Sequence, residues 1–187
     1  MSLHNVQGCL GVSPNNEREE HDYYATEPAA AEWLLKLVDL APDIWECACG
    51  EGHLSKVFEN AGKNVLSTDL IDRGYGYGGV DFLILRDTSY HGDIVTNPPY
   101  KHAEEFIYKA LDIVDEGRLV CMFLKVQFLE GQKRRKLFAK YPPKYVYVSS
   151  ARLRCGKNGV FSDSMVAYAW YVWEKGYNGE TVLRWFN

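Results

Sequence analysis

The 187-residue sequence lacks several features that would place it in a specialised class of protein. No apolar run approaches the roughly 20 residues that a membrane-spanning helix needs, and no signal-peptide pattern opens the chain. The five cysteines are an odd number without CxxC spacing, which argues against a disulfide framework and a zinc site. We therefore expect a cytoplasmic protein with no membrane contact and no metal ion.

The charged residues show no overall excess of positive charge, since 21 are basic and 25 are acidic. Residues 125–157 differ, because they hold ten Lys and Arg against one acid, a net charge of +9, while the rest sums to −13. Such a region is typical of a polyanion-binding surface, and a solvated helix face explains it equally well. The candidate nucleic-acid contacts are Lys101, Lys133, Arg134, Arg135, Lys136, Arg152 and Arg154.

The length of the chain fits one domain with a substantial core. Residues 1–21 are polar and predict a flexible tail, so that 22–187 forms a single domain. Helical and strand-like patterns alternate beyond the tail, which is typical of an α/β protein with a doubly wound, mostly parallel sheet. The predicted helices cover about 29–40, 53–60, 103–114 and 129–140, and the predicted strands cover 44–49, 64–68, 80–83, 94–96, 119–124, 145–148 and 165–174. Residues 176–187 carry no clear pattern.

The residues before the first helix suggest how that helix begins. Thr26 is placed to cap it, with Glu27 and Pro28 opening the first turn. Tyr24 either packs against this helix or lines a pocket, and the residues alone leave both interpretations open.

A glycine turn follows the first predicted strand. Gly50 and Gly52 would let a ligand approach the backbone where a Cβ atom would clash. Asp69, which ends the next strand 17 residues beyond Gly52, can accept hydrogen bonds from both hydroxyls of a ribose. The turn does not match GxGxxG, and Glu46 and Glu51 would repel a pyrophosphate. These features disfavour a dinucleotide and favour a cationic ligand with an amino group.

The glycine-rich residues 71–79 predict a loop over the edge of that ligand. Asp81, which comes just after the loop, is placed to accept a hydrogen bond from an adenine amine, and Phe82 to stack on the adenine ring. The alternative is an exposed Asp beside a core Phe.

The segment Asp93–Tyr100 is the most informative one in the chain. Its β-branched start predicts a short buried strand that delivers Asn97 to the carboxyl end of the sheet, where open α/β sheets bind ligands. Pro98 and Pro99 cannot continue the strand and stiffen the loop that carries Tyr100. An amide, a carbonyl and an aromatic ring on a stiff loop suit a flat group with an exocyclic NH₂.

Together, the glycine turn, Asp69, the Asp81-Phe82 pair and Asn97-Pro98-Pro99-Tyr100 resemble the class I S-adenosylmethionine-dependent methyltransferases. Within these, the chain is similar to the amino-methylating branch marked by Asn-Pro-Pro-Tyr, and especially to small adenine-N6 DNA methyltransferases of phages and prophages. The resemblance covers roughly residues 22–175. It implies the Rossmann-like class I methyltransferase fold with an antiparallel last strand.

The resemblance also implies S-adenosylmethionine as the cofactor. The residues that would bind it are Tyr24, Thr26, Glu46, Ala48, Gly50, Gly52, Asp69, Asp81 and Phe82. Glu46 and the glycine backbone would face the methionine part, with Thr26 and Tyr24 closing over it. Asp69 would hold the ribose, and Asp81 with Phe82 the adenine.

The catalytic residues implied by the resemblance are Asn97, Pro98, Pro99 and Tyr100. Asn97 and the Pro98 carbonyl would accept hydrogen bonds from the target amine, while Tyr100 stacks on the target ring. Transfer would then be direct and in line, with positioning more important than a general base. A target base in duplex DNA would be flipped out of the helix.

The sequence departs from the family in two positions and lacks one part. Cys47 stands where the amino-methylating DNA enzymes show Pro, and Glu27 separates Thr26 from Pro28 where a Thr-Pro pair is common. Both concern the cofactor pocket and leave the class unchanged. No insert is large enough for a separate target-recognition domain, so short loops would read the target.

The leading hypothesis is methylation of adenine N6, with nucleic acid, and DNA above RNA, as the partner. One alternative keeps the reaction but places the amine on an RNA base or a protein glutamine amide. An alternative of another class is a cofactor-binding, non-catalytic subunit that needs a separate specificity chain. A second copy of the chain as partner stays open.

Overall fold

The computed structural model describes residues 24–86, 88–151, 153, 155–156 and 166–187. The predicted tail over 1–21 lies outside the described residues, as do the candidate contacts Arg152 and Arg154.

The described residues form four α-helices, nine β-strands and four short 3-10 turns. The helices are α1 (Pro28–Leu37), α2 (Ser55–Asn60), α3 (Ala103–Ile113) and α4 (Arg135–Lys140). The strands are β1 (Ala25–Thr26), β2 (Asp43–Glu46), β3 (Asn64–Ser67), β4 (Asp93–Thr96), β5 (Leu119–Lys125), β6 (Tyr145–Ser149), β7 (Cys155–Gly156), β8 (Tyr168–Glu174) and β9 (Val182–Phe186). The 3-10 turns are Phe82–Ile84, Tyr100–His102, Val126–Leu129 and Gln132–Arg134. No helix among these residues is long and apolar enough to cross a membrane.

Seven strands form one sheet in the order β3-β2-β4-β5-β8-β6-β9, and β1 pairs with β7 in a separate two-stranded sheet. Strands β3, β2, β4 and β5 run parallel, β8 is antiparallel to both of its neighbours, and β9 is parallel to β6. The predicted α/β doubly wound sheet is therefore confirmed.

Apolar side chains cover both faces of this sheet. Helices α1 and α2 pack on one face, where Leu34 and Phe58 are fully buried. Helices α3 and α4 pack on the other, where Ile107 and Leu137 are fully buried. The central strand β5 is apolar along its whole buried length because both of its faces are covered.

Asp93 fixes the lower end of the strand that carries the Asn-Pro-Pro-Tyr motif. It is 1% exposed, and its carboxylate accepts hydrogen bonds from the backbone N–H groups of Ala41 (2.6 Å) and Leu119 (2.8 Å). Burial raises the pKa of Asp93 above its usual value, against the effect of these two hydrogen bonds. One buried side chain thereby joins β4 to the segments entering β2 and β5.

One predicted strand was wrong, and one observed strand was not predicted. Residues 80–83 form no strand, because the Asp81 carboxylate accepts a hydrogen bond from Leu83 N (3.0 Å) and caps a 3-10 turn instead. The antiparallel strand is not the last one, since β9 follows it in the region without a clear pattern. Strand β9 lies at the sheet edge and leaves Leu183 and Trp185 exposed, so its residues do not alternate as half-buried strands usually do.

Two predictions about helices were also wrong. The basic helix begins at Arg135 and not near residue 129, because Gly131 takes a φ of 119° and breaks the segment. Thr26 does not cap α1, since Glu27 holds the cap position without a side-chain hydrogen bond. Thr26 lies in β1 and is paired with Cys155 of β7.

Candidate active site

A cavity of about 250 Å³ lies at the carboxyl ends of β2, β3 and β4. This is the edge where parallel α/β sheets place ligand sites. The residues singled out from the sequence that line it are Tyr24, Thr26, Glu46, Ala48, Asp69, Asp81, Phe82, Asn97, Pro98, Pro99 and Tyr100. Residues from five separate parts of the chain therefore meet at one place.

The side-chain amide of Asn97 has a defined orientation in this cavity. Its Nδ2 donates hydrogen bonds to the Tyr24 carbonyl (3.0 Å) and the Thr26 hydroxyl oxygen (2.8 Å). Its Oδ1 is buried and has no hydrogen-bond partner. A buried acceptor without a donor costs roughly 1–3 kcal/mol, so a ligand that brings an N–H to this atom recovers that free energy.

Aromatic rings surround the side chain of Tyr100. Tyr24 stacks on it with ring centroids 5.8 Å apart and planes inclined by 22°, and Tyr168 lies 6.2 Å away. The Lys125 ammonium sits 4.8 Å from the ring centroid, and the Tyr100 hydroxyl donates to Cys155 Sγ at 3.5 Å. Burial raises the pKa of Tyr100 well above its usual value, which keeps the ring neutral. The cluster suits a planar group.

Glu46 is a buried acid in the wall of the cavity. It is 2% exposed, and its Oε2 accepts hydrogen bonds from the Ser55 backbone N–H (2.8 Å) and the Ser55 hydroxyl. Ser67 extends this network through a 2.6 Å contact between the two serine hydroxyls. Burial raises the pKa of Glu46 to about 8, which favours the neutral carboxyl near pH 7. A cation bound nearby would favour its ionised form.

Asp69 is held by backbone donors on both carboxylate oxygens. Oδ2 accepts from Gly50 N at 2.8 Å and Oδ1 accepts from Ile71 N at 2.9 Å. These hydrogen bonds orient the carboxylate and leave each oxygen with further acceptor capacity. Asp69 therefore joins the glycine turn to the loop that follows β3.

Gly50 and Gly52 do not line the cavity, whose wall is formed here by their neighbours Cys49 and His53. Gly52 has a φ of 77°, and a Cβ atom built on it would lie 2.3 Å from the Tyr75 ring. The close approach that requires glycine is therefore made by an aromatic side chain of the protein. Contact of the two glycines with a ligand stays a prediction.

Phe82 and Asp81 line the cavity together with Ile71 and Arg73 of the glycine-rich loop. Phe82 is 2% exposed, with its centroid 5.3 Å from Trp45 at 86° and 5.1 Å from Phe106. It is thus a core residue that also forms cavity wall, a combination of the two sequence interpretations. Asp81 Oδ1 caps the 3-10 turn.

Sequence reasoning missed several lining residues, among them Cys49, His53, Ile71, Arg73 and His102. Each lies within four residues of a predicted site residue, so the motifs marked the right segments but not all their side chains. Desolvation lowers the pKa of His53, which favours its neutral form.

Some of the basic residues are exposed, whereas Arg134 contacts other residues of the protein. Lys133, Arg135 and Lys136, here called the basic triplet, are exposed, as is Lys101. Arg134 is half-buried, donates to the Glu130 carbonyl and lies 4.6 Å from the Phe128 ring centroid. The segment with the triplet leaves the carboxyl end of β5, which is the edge of the sheet that carries the cavity.

Comparison with known proteins gives a likeness in fold. No family model matches the chain, and no curated protein matches it. A proposed RNA methyltransferase of Pyrococcus horikoshii is 16% identical, with a TM-score of 0.57, over 79% of this chain and 82% of that one. A proposed class I S-adenosylmethionine-dependent methyltransferase of Listeria monocytogenes is 13% identical, with a TM-score of 0.60, over 97% and 69%.

A third solved structure, a predicted O-methyltransferase of Agrobacterium tumefaciens, is 13% identical with a TM-score of 0.58, over 80% of this chain and 81% of that one. The three neighbours are described with different substrates or with none, whereas each of them is similar to this chain in fold. The chain has the Rossmann-like α/β fold of the class I methyltransferases.

Proposed function

We propose that this protein is an S-adenosylmethionine-dependent methyltransferase that methylates an exocyclic amine, with adenine N6 in DNA as the favoured target. The observation that carries the proposal is the buried Asn97 Oδ1, which has no partner and is held as an acceptor. An oxygen nucleophile gains little from such a group after it loses its proton, whereas an amine offers it an N–H.

The cavity fits S-adenosylmethionine by the chemistry of its wall. Glu46, Asp69 and Asp81 bring three acidic side chains to one cavity, which suits a ligand that carries a sulfonium and an ammonium. We assign Asp69 to the ribose hydroxyls, Asp81 and Phe82 to the adenine, and Glu46 to the methionine part. When bound, this cofactor supplies an electrophilic methyl group.

The target amine is activated by the hydrogen-bond acceptors that position it. Its lone pair is delocalised into the attached ring, and hydrogen bonds to Asn97 Oδ1 and the Pro98 carbonyl would localise that pair on nitrogen. The stiff Pro98-Pro99 backbone keeps both acceptors at fixed positions. Because preorganised acceptors need no reorganisation during the reaction, they raise the rate of methyl transfer.

The aromatic cluster favours a heteroaromatic target over a glutamine amide. The Tyr24 ring stacks on Tyr100 with 5.8 Å between the ring centroids. A planar base that stacks on Tyr100 must take the place of the Tyr24 ring. Stacking of a base on an aromatic side chain is worth roughly 1–3 kcal/mol, which helps to offset flipping from a duplex. A glutamine side chain has no ring to use this surface.

The basic triplet and Lys101 favour a nucleic acid as the carrier of that base. DNA is preferred because the Asn-Pro-Pro-Tyr motif resembles that of the adenine-N6 DNA enzymes. RNA is the second candidate, since the Pyrococcus neighbour is described as an RNA methyltransferase. We propose that residues 22–187 act as one catalytic domain, with short loops reading the target.

The test is a methyl-transfer assay with tritium-labelled cofactor on duplex DNA, RNA and a protein extract. We expect the label to appear in N6-methyladenine of DNA. The Asn97→Ala variant should transfer methyl groups at least about 100-fold more slowly, the loss expected when a preorganised electrostatic group is removed. Cofactor affinity measured by calorimetry should stay within about twofold in this variant, since the amide is assigned to the target.

The matched control is Asn178→Ala, which makes the same change at an exposed asparagine. Full activity of Asn97→Ala would refute the assignment of the amine site. Absence of cofactor binding at millimolar concentration would refute the proposed enzyme class and favour another role for the domain.

A further inference from the structure

We propose that Thr26 is a positioning residue that holds the side-chain amide of Asn97 with its oxygen toward the substrate. The catalytic consequence rests on the proposed function, whereas the orientation itself does not. The sequence pointed to Thr26 as a helix cap and a cofactor contact, and the structure shows a different contact.

The side-chain amide of Asn97 can take only one orientation, because its NH₂ group lies next to a carbonyl acceptor. The Tyr24 carbonyl has no proton to give, so only the NH₂ end can face it, at 3.0 Å. The Thr26 hydroxyl oxygen accepts the second hydrogen bond of Nδ2 at 2.8 Å. Both N–H bonds of the amide are thus used within the protein, and Oδ1 is the end that keeps acceptor capacity.

The backbone around Thr26 holds its side chain in place. Thr26 is 3% exposed and pairs with Cys155 in the antiparallel β1–β7 sheet, next to the pair of Ala25 with Gly156. Its β-branched side chain has few χ1 rotamers. Cys155 also accepts a hydrogen bond from the Tyr100 hydroxyl. The residue pair of Thr26 with Cys155 therefore contacts both the Asn97 amide and the Tyr100 ring.

The fixed orientation makes the site selective for hydrogen-bond donors. With Oδ1 presented, an exocyclic amine finds an acceptor, whereas a keto oxygen or a bare ring nitrogen faces another acceptor. The Tyr24 carbonyl determines which end of the amide faces the substrate. Removal of the Thr26 oxygen leaves Nδ2 with one of its two hydrogen bonds, so that the plane of the amide can turn and move Oδ1 away from the target amine.

The first readout is the hydrogen exchange of the Asn97 side-chain NH₂, measured by NMR and assigned from its absence in Asn97→Ala. We expect Thr26→Val to accelerate this exchange about fivefold or more, because one of two protecting hydrogen bonds is lost. Thr26→Ser keeps the oxygen and should restore the slow exchange. The control is Thr181→Val, the same change at an exposed threonine.

The second readout is the methyl-transfer rate on the preferred substrate. Thr26→Val should lower kcat about fivefold to tenfold, the range expected for one hydrogen bond, and leave cofactor affinity within about twofold. Thr26→Ser should recover most of the rate. In an Asn97→Ala background the Thr26→Val change should produce no further loss, since Thr26 acts through that amide.

The outcomes separate the two proposals. Unchanged NH₂ exchange in Thr26→Val overturns the positioning role whatever the activity, and so does a further loss of rate in the Asn97→Ala background. Should Thr26→Val fail to fold by circular dichroism, Thr26→Ala carries the same prediction. A wild-type protein inactive on every substrate overturns the proposed function while the exchange result still tests the orientation.

Discussion

Replacement of Glu46 by Gln should change how the stability of this protein depends on pH. Burial raises the pKa of this carboxyl from 4.5 to about 8, while an unfolded chain exposes it to water at its usual value. Between these two values the folded state holds a proton that the unfolded state has lost. The contribution of Glu46 to stability is therefore complete below 4.5 and is lost as the pH rises to about 8.

The size of this effect follows from the pKa difference. Each pKa unit corresponds to about 1.36 kcal/mol, so the two values imply a loss of about 5 kcal/mol as the pH rises from 4.5 to about 8. Glutamine cannot ionise, keeps nearly the same shape and retains an oxygen for the Ser55 N–H. The stability of Glu46→Gln relative to wild type should thus rise by that amount over the same pH interval.

The assay is urea unfolding followed by tryptophan fluorescence at a series of pH values, since the chain has five tryptophans. The difference between variant and wild type removes the contributions of all other groups that titrate. The exposed Glu180→Gln is the control, and its difference should stay within about 0.5 kcal/mol at every pH. Parallel curves for Glu46→Gln and wild type would refute the assignment of a neutral buried acid.

Three further results are expected. Asp93→Ala should destabilise the fold by about 2–4 kcal/mol in urea unfolding, because two buried N–H groups lose their acceptor, and a loss below about 1 kcal/mol would contradict this role. Gly52→Ala should cost about 1–3 kcal/mol more than Gly74→Ala, since both have positive φ but only Gly52 has the Tyr75 ring at 2.3 Å. Charge reversal of the basic triplet should weaken nucleic-acid binding and flatten its salt dependence, and unchanged binding would make these residues a solvated surface.

The sequence predicted those site residues whose position depends on residues adjacent to them along the chain. Asn97 and Tyr100 follow a β-branched strand and two prolines, so their place at the sheet edge depends on local rules. Asp69 follows from the strand order of a doubly wound sheet. In each case one short segment holds both the structural signal and the chemical group.

The parts that could not be predicted depend on distant partners. Thr26 has the composition and position of a helix cap, and its actual partner, Asn97, lies 71 residues further along the chain. Gly52 has the pattern of a ligand-binding turn, and the ring that requires it comes from Tyr75. Such contacts are decided by how the loops pack, which hydrophobic periodicity does not encode.

Strand β9 was missed for a related reason. Its outward positions carry Leu183 and Trp185, which are 41% and 69% exposed, so polar and apolar residues do not alternate. Its place is set by pairing with β6 and by the contact of Phe186 with Trp33, 5.6 Å between centroids. Neither partner can be read from residues 176–187 alone.

The position of β8 has a consequence for the order in which the molecule can be completed during synthesis. This strand lies between β5 and β6, although it is made after both of them. A nascent chain that ends before β8 has no neighbour for the hydrogen-bonding edge of β5, and the residue pair of Tyr168 with Lys125 beside the cavity is missing. The ribosome must therefore release most of the chain before the sheet that carries the cavity can be completed, and until then an unpaired apolar strand is open to chaperones and to aggregation.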